Sequence, residues 1–375
     1  MTGSDTAGRL PEGDAVVYCQ GAFNTPVGKT AHGLVRFTRR YRVAAVIDAG
    51  WAGRDAGDVL DGRPNGIPVV ASLDEALQRF AGRLTHFVVG LAPDGGRLSA
   101  DALARVETAI DAGLNIDCGL HDYLSDNPDL AALAAQRGVR IRDIRKPPAV
   151  KDLHFFSGKI ETVAAFKIAV LGTDSAVGKR TTAWLIHDAL IRRGLTAEMI
   201  GTGQTAWMQG AGYSLVLDSL VNDFVSGEIE HAVWSAWNDV RPDVIIIEGQ
   251  GSLMNPAYPG GFEILAAGRP DVIVLQHAPA RAEYDGFPGY PIQPLPHQIH
   301  VLESLSGKPV TAVTLNHENL DPAEIPVICR SMAQTLGIPV FDVLTQGAES
   351  LADHLITIAR LQGHGIDRLQ GSDAE

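Results

Sequence analysis

The strongest constraint on this chain is the stretch Gly172-Thr173-Asp174-Ser175-Ala176-Val177-Gly178-Lys179, which follows the run from Lys167 to Leu171 and opens a helix-like segment ending near Arg193. A strand, then GxxxxGK, then a helix is the pattern of a phosphate-cradling loop. Its glycines let backbone N–H groups converge on phosphate oxygens, the helix N-terminus adds positive potential, and the lysine supplies a point charge. A phosphorylated ligand is therefore expected. The usual pattern continues with a Ser or Thr whose hydroxyl holds Mg²⁺. Here that position is Arg180, and Thr181 and Thr182 come one and two places late.

With 375 residues the chain is long for one domain and comfortable for two. Apolar residues make up 45% and charged residues 20%, which supplies large cores and argues against disorder. The net charge of −13 argues against a protein that tracks a nucleic-acid backbone or an anionic membrane. Cys19, Cys118 and Cys329 are far apart in sequence and form no CxxC pair, so neither a zinc site nor a disulfide framework is indicated. No apolar run reaches membrane-spanning length, and Met1 to Gly13 has no signal-like apolar stretch. A cytoplasmic enzyme is the expectation.

The chain divides near Arg145-Lys146-Pro147-Pro148. Before that point strand-like and helix-like runs alternate, among them Ala15 to Cys19, a helix around Ala31 to Tyr41, and Val43 to Ile47. This predicts a Rossmann-like, doubly wound α/β domain over residues 14–150. Beyond it, Val244-Ile245-Ile246-Ile247 does not alternate, as expected of a central strand buried on both faces. Residues 151–362 therefore read as a second α/β domain, P-loop NTPase-like with a parallel sheet. Residues 1–13 and 363–375 read as solvated, flexible tails.

Ligand sites in such domains form beyond the C-terminal ends of strands. Glu248 stands there, and a carboxylate in that place binds Mg²⁺ through water, accepts a proton, or serves as a structural hydrogen-bond acceptor. Asn316 ends another strand and could hydrogen-bond an adenine edge or shape a turn. Gln204 and His277 are also at strand ends. Asp218, Asp223 and Glu228 form an acidic cluster that could orient an amine or simply be a charged surface. In the first domain Lys29, Thr30 and His32 open a helix after the first strand and could face an anion, although Phe23 stands where a phosphate loop would need its first glycine.

The loop, Glu248-Gly249 after a buried strand, and Asn316 resemble dethiobiotin synthetase and its P-loop relatives. The whole chain more closely resembles a two-domain family once known only as a domain of unknown function. The shared features are Lys29-Thr30-Ala31-His32-Gly33, Arg145-Lys146-Pro147-Pro148, the phosphate loop, Gly201-Thr202-Gly203-Gln204-Thr205 and Ile247-Glu248-Gly249-Gln250-Gly251, spread over residues 14 to 360. That family includes D-glutamate N-acetyltransferases, and the resemblance implies acetyl-CoA as donor and an acidic amino acid as small-molecule substrate, in a protein expected to be a homo-oligomer.

CoA carries a pyrophosphate and a 3′-phosphate, so a phosphate loop can serve it without hydrolysing anything, and Arg180 suits that use. Acetyl transfer needs a base and donors for an oxyanion. Asp174, Glu248, Asp223 and His277 are the base candidates, and loop N–H groups or Gln204 could hold the oxyanion. Cations for an acidic substrate could be Lys29, Arg180 or Arg145. The competing expectation is an ATP- and Mg-dependent ligase or kinase, in which Thr181 or Thr182 replaces the missing hydroxyl. A non-catalytic nucleotide sensor is the third.

Overall fold

Six short parallel strands make the sheet of the first of two units in the computed structural model, which describes residues 10–366. The chain runs β1 (Gly13–Tyr18), α1 (Lys29–Arg36), β2 (Tyr41–Ile47), α2 (Ala56–Asp61), β3 (Val69–Val70) and α3 (Leu73–Arg79). It continues through β4 (Leu84–Val89), α4 (Ala100–Asp111), β5 (Asn115–Cys118), α5 (Pro128–Arg137) and β6 (Ile141–Asp143). The order across the sheet is β3-β2-β1-β4-β5-β6, the doubly wound arrangement, with its reversal between β1 and β4. Side chains alternate between faces along a strand. In β1, Ala15 and Val17 join one apolar cluster while Val16 and Tyr18 join the other, so the strand is buried from end to end. Ser72, Ser99 and Asn127 cap α3, α4 and α5 by accepting backbone N–H groups of their first turns.

The expected helix from Ala31 to Tyr41 is shorter and shifted. It starts at Lys29 and stops at Arg36, Phe37 is extended, and Tyr41 already belongs to β2. The cause is distant in sequence. Gln209 donates its side-chain amide to the carbonyls of Gly33 (2.9 Å) and Phe37 (3.1 Å), and the Thr38 hydroxyl and Arg39 N–H bond the carbonyls of Met208 and Gln209. These contacts satisfy the helix end that local sequence leaves open.

The stretch of chain that carries the second unit runs β7 (Phe166–Gly172), α6 (Lys179–Arg192), β8 (Ala197–Gly201), then, outside that unit, α7 (Gln204–Gln209), and on through β9 (Tyr213–Ser214), α8 (Asn222–Val240) and β10 (Val244–Glu248). After these come α9 (Phe262–Gly268), β11 (Val272–His277), α10 (Leu295–Ser306), β12 (Val310–Leu315), α11 (Ile325–Leu336), β13 (Val340–Phe341) and α12 (Glu349–Leu361). Its seven strands are parallel, in the order β13-β12-β11-β7-β10-β8-β9. The central β7 and β10 are buried at every residue, which is why their sequences do not alternate. Among the described residues no helix is long and apolar enough to cross a membrane.

The units divide at Pro148, but Gly203–Ala211, with α7, belong to the first one. Met208 is fully buried in the cluster that holds Ala15 and Val17. Trp207 lies between two guanidinium groups, Arg40 at 3.7 Å and Arg142 at 4.8 Å from its ring centre. Arg40, with no exposed surface, donates to the Trp207 carbonyl (2.7 Å) and to Glu12; Arg142 donates to Glu12 (2.6 Å) and to Asp117, which also accepts from the Tyr41 hydroxyl. Burial pushes the Glu12 carboxyl up, and Arg142 and Arg40 outweigh it and hold it below the usual range.

The expected tails are thus corrected at their inner ends. Glu12 belongs to this ion network and the His364 ring packs edge-on against Phe166, each meeting a partner far away in sequence, and Ile366 is buried. The outer parts of those tails, residues 1–9 and 367–375, lie outside the described residues. Arg40→Ala would leave Glu12 and a carbonyl short of a buried donor, so it should cost about 3–5 kcal/mol of stability in urea unfolding. The part that Glu12 contributes should be present above the ordinary glutamate range and fade as pH falls through its lowered pKa.

Candidate functional site

At the C-terminal edge of the second sheet, β7 ends in Gly172 and the chain turns through the phosphate loop into α6. Two positions give the loop its shape. Ala176 has φ 53° and Gly178 φ 105°, both left-handed, and only the second is a glycine. The backbone thereby curls in the way that turns N–H groups toward an anion.

The loop is held from within by Asp174, which is fully buried. One oxygen accepts from the Ser175 N–H (2.7 Å) and the Asn255 amide (2.8 Å); the other accepts from Arg281 (2.8 Å) and the Asp285 N–H (2.8 Å). Arg281 also donates to the Ser175 carbonyl (2.8 Å) and pairs with Glu318. Asp174, expected among the bases, is therefore committed to four donors.

Lys179, expected as the loop's point charge, is turned inward. It is buried, and its Nζ donates to the carbonyls of Asp174 (2.6 Å) and Gly251 (2.7 Å). One of its three N–H groups is left for a ligand. Burial pushes its pKa down to about 8, against the pull of Asp174 and Glu248. Glu248 closes β10 beside β7 and accepts from the Thr202 N–H (2.9 Å). Burial raises its pKa, while Arg180, the Thr202 N–H and Lys179 work in the other direction.

Thr173 and His277 meet, hydroxyl to Nδ1, at 3.0 Å, and burial holds the His277 imidazole down near 4, so it is neutral at pH 7. Thr182 is corrected as a substitute metal ligand. Its hydroxyl is buried and donates to the Gln276 side chain (2.5 Å), which also accepts from Thr314 (2.6 Å), while Thr181 is exposed. Asn316 is at the loop: its amide donates to the Val177 carbonyl (2.8 Å) and accepts from the Glu318 N–H (2.8 Å), leaving one N–H and one lone pair over.

Other expected residues lie elsewhere. Asp223 is exposed in the first turn of α8, Asp218 is exposed just before it, and Glu228 accepts from the His154 backbone and ring. Among the described residues no group of three or more His, Cys, Asp or Glu side chains is placed to hold a metal ion. Lys29, Thr30, His32, Arg145 and Gln204 belong to the first unit. Lys29 is exposed at the start of α1, Thr30 is buried with its hydroxyl 3.3 Å from that of Thr205, His32 Nε2 is 2.5 Å from the Phe23 carbonyl, and Arg145 donates to the Gly119 carbonyl (2.6 Å). Sequence reasoning missed Arg281, Asn255 and Gln276. Nothing local marks the first two, whereas Gln276 sits one residue from the end of an apolar strand, where a polar side chain is itself a signal.

Asp174→Ala should cost about 3–5 kcal/mol of stability in urea, since it removes the buried partner of Arg281, which keeps only the half-exposed Glu318, and strands the Asn255 amide and two backbone N–H groups. Asp174→Ala combined with Arg281→Met should cost less than the sum of the single changes, a coupling that a double-mutant cycle would measure.

The family model described as "Domain of unknown function (DUF1611_C) P-loop domain" matches residues 154–352, and that described as "Domain of unknown function (DUF1611_N) Rossmann-like domain" matches residues 49–147. A crystal structure of a DUF1611 family protein from Anabaena variabilis superposes with a TM-score of 0.85 at 30% identity, covering 92% of this chain and all of that one. A curated protein of Tritonibacter scottomollicae, named D-glutamate N-acetyltransferase, is 30% identical over 296 residues, 76% of this chain and 85% of its own. One of the same name from a Pseudoalteromonas species is 29% identical over 299 residues, 78% of this chain and 88% of its own. The chain belongs to the DUF1611 family.

Proposed function

We propose that this member of the DUF1611 family is an N-acetyltransferase that moves the acetyl group of acetyl-CoA to the amino group of D-glutamate. The observation that carries the reading is the makeup of the phosphate loop. It offers backbone N–H groups, Lys179 and Arg180, yet has a guanidinium where a Mg-nucleotide site keeps a hydroxyl, and the buried hydroxyl of Thr182 is spent on Gln276. CoA phosphates need neutralising and nothing more. The names of the two curated relatives supply the acceptor.

In this reading Lys179, Arg180 and the loop N–H groups hold the pyrophosphate, and the spare N–H of Asn316 is offered to the adenine edge. The amine nitrogen attacks the thioester carbonyl carbon, the C–N bond forms, and the C–S bond of the tetrahedral intermediate then breaks. The amine's proton passes to a base and from there to the departing sulfur, giving the N-acetyl amino acid and free CoA. Glu248 is the base: Asp174 is saturated with donors, Asp223 is exposed on α8, and His277 is too weakly basic. A carboxylate whose pKa is raised by burial accepts a proton more readily.

A thiol-release assay with acetyl-CoA and the D and L forms of glutamate and aspartate should give turnover with D-glutamate, and that turnover should persist in EDTA. Amino-acid-dependent ADP formation that EDTA abolishes, with no CoA released, would overturn the proposal in favour of a ligase. Glu248→Gln should lower kcat by about 10²–10⁴. Arg180→Ser should weaken acetyl-CoA binding by about 1.5–3 kcal/mol, the range for hydrogen bonds to charged groups.

Binding has its own pH dependence. Lys179 in the free chain loses its proton as pH rises through about 8, so calorimetric affinity for acetyl-CoA should fall above that pH. Lys179→Arg should remove this alkaline limb, because a guanidinium stays charged.

A further inference from the structure

Glu248 and Gln250 stand two residues apart at the C-terminal end of β10, and a single residue at the end of the paired strand β8 holds them both. That residue is Thr202, which is buried. Its backbone N–H donates to one oxygen of the Glu248 carboxylate (2.9 Å), and its hydroxyl donates to the Glu248 carbonyl (3.0 Å). The same hydroxyl accepts from the side-chain amide of Gln250 (3.0 Å). Its one proton is spent on Glu248, so only the N–H end of the Gln250 amide can face it. The Gln250 side chain therefore has one orientation, with its amide oxygen turned away from Thr202. Gly249 between the two has no room for a side chain, because a Cβ there would be 2.5 Å from the Val170 carbonyl. The stretch thus lies close against β7, the strand that leads into the phosphate loop.

Beyond Thr202, neither side chain has a hydrogen-bond partner among the described residues, and no atom of either is among the enclosed polar atoms left without one. Two acceptor oxygens remain, one on Glu248 and one on Gln250. Two acceptors side by side, one of them a carboxylate, repel an anion and draw a donor that has two hydrogens to give. A primary amine is such a donor. In acetyl transfer its two hydrogens have different fates. Once the nitrogen has bonded to the thioester carbon, one proton leaves to the base and the other stays on the amide nitrogen of the product.

We propose that Gln250 orients the acceptor amine, its amide oxygen accepting the N–H that stays while Glu248 takes the proton that leaves. With both hydrogens held, the direction of the nitrogen lone pair is set before attack. Thr202 is the positioning residue that keeps the base and the orienting oxygen in register. The site then selects a primary amine. A secondary amine has one hydrogen, which has to go to Glu248, and Gln250 is left facing carbon. The inference rests on the reading of Glu248 as the base of an acetyl transfer.

Thiol release is measured on the full chain with acetyl-CoA and either D-glutamate or N-methyl-D-glutamate. The parent should have a kcat/KM for D-glutamate at least about a hundredfold above that for the N-methyl analogue. Gln250→Met keeps the side-chain length and removes the acceptor. It should lower kcat/KM for D-glutamate about 10- to 100-fold, the loss of one hydrogen bond to a developing charge, with the acid limb of the pH profile where the parent has it. Thr202→Val keeps its backbone N–H on Glu248 but releases Gln250, so it should lose a comparable factor, and Thr202→Ser should restore it. Parental affinity for CoA by calorimetry reports that each variant is folded. Three results would overturn the inference and leave the acetyl-CoA reading standing: parental kcat/KM in Gln250→Met, a loss there that comes with a shifted acid limb, or N-methyl-D-glutamate turned over by the parent as fast as D-glutamate. A parent chain that releases no CoA would overturn that reading, and the inference with it.

Discussion

Asp174 joins three segments of the second unit through four hydrogen bonds: the loop itself, the turn at Asn255, and the stretch after β11, which it meets at Arg281 and at the Asp285 N–H. A carboxylate taken fully out of water costs several kcal/mol unless its charge is matched and its lone pairs are used. Each of the three segments is therefore obliged to stay where Asp174 needs it. The left-handed turn at Ala176, unfavourable for a residue with a side chain, persists because both flanking stretches are fixed. The loop is shaped before any ligand arrives, so the ordering cost is met by folding and not by binding.

The same economy changes what the loop lysine does. Turned inward onto two carbonyls, Lys179 serves as a structural donor as well as a charge, and the carbonyl of Gly251 couples it to the turn after β10. With Glu248 on the neighbouring strand, the site places an ammonium whose pKa is lowered by burial beside a carboxyl whose pKa is raised by it. Both shifts have one cause, and both bring the groups closer to neutral pH. Pairs of this kind mark places where protons can be exchanged at modest cost.

Much of this could be read in the sequence because it obeys local rules. A strand with no polar alternation is buried on both faces, a GxxxxGK stretch after it curls, and the residues just past the next buried strand are brought alongside; Lys179, Glu248, His277 and Asn316 all reached one sheet edge by that logic. What could not be read depends on partners brought together only by the finished fold. Arg281 has Glu283 and Asp285 nearby in sequence, yet it pairs with Asp174 and Glu318, and its roles at Asp174 and Ser175 appear only once the loop after β11 is in place. Glu12 looked like part of a solvated tail because its two arginines are at positions 40 and 142. The end of α1 was misplaced for the same reason, since Gln209 supplies the amide that closes it. Asp218, Asp223 and Glu228 show the converse: proximity in sequence suggested a cluster, but Asp218 and Asp223 are exposed and Glu228 is taken up by His154.

The return of Gly203–Ala211 to the first unit bears on how the chain can be made. Met208 fills a place in a core whose strands are all complete by Asp143, and Gln209 closes a helix that begins at Lys29. During synthesis the amino-terminal half must wait, its cavity at Met208 empty, until the ribosome has passed Ala211 and thus until β7, the loop and β8 have emerged. A chain divided at the linker would take Met208 and Gln209 away from the amino-terminal core and leave them, without their partners, on the other half.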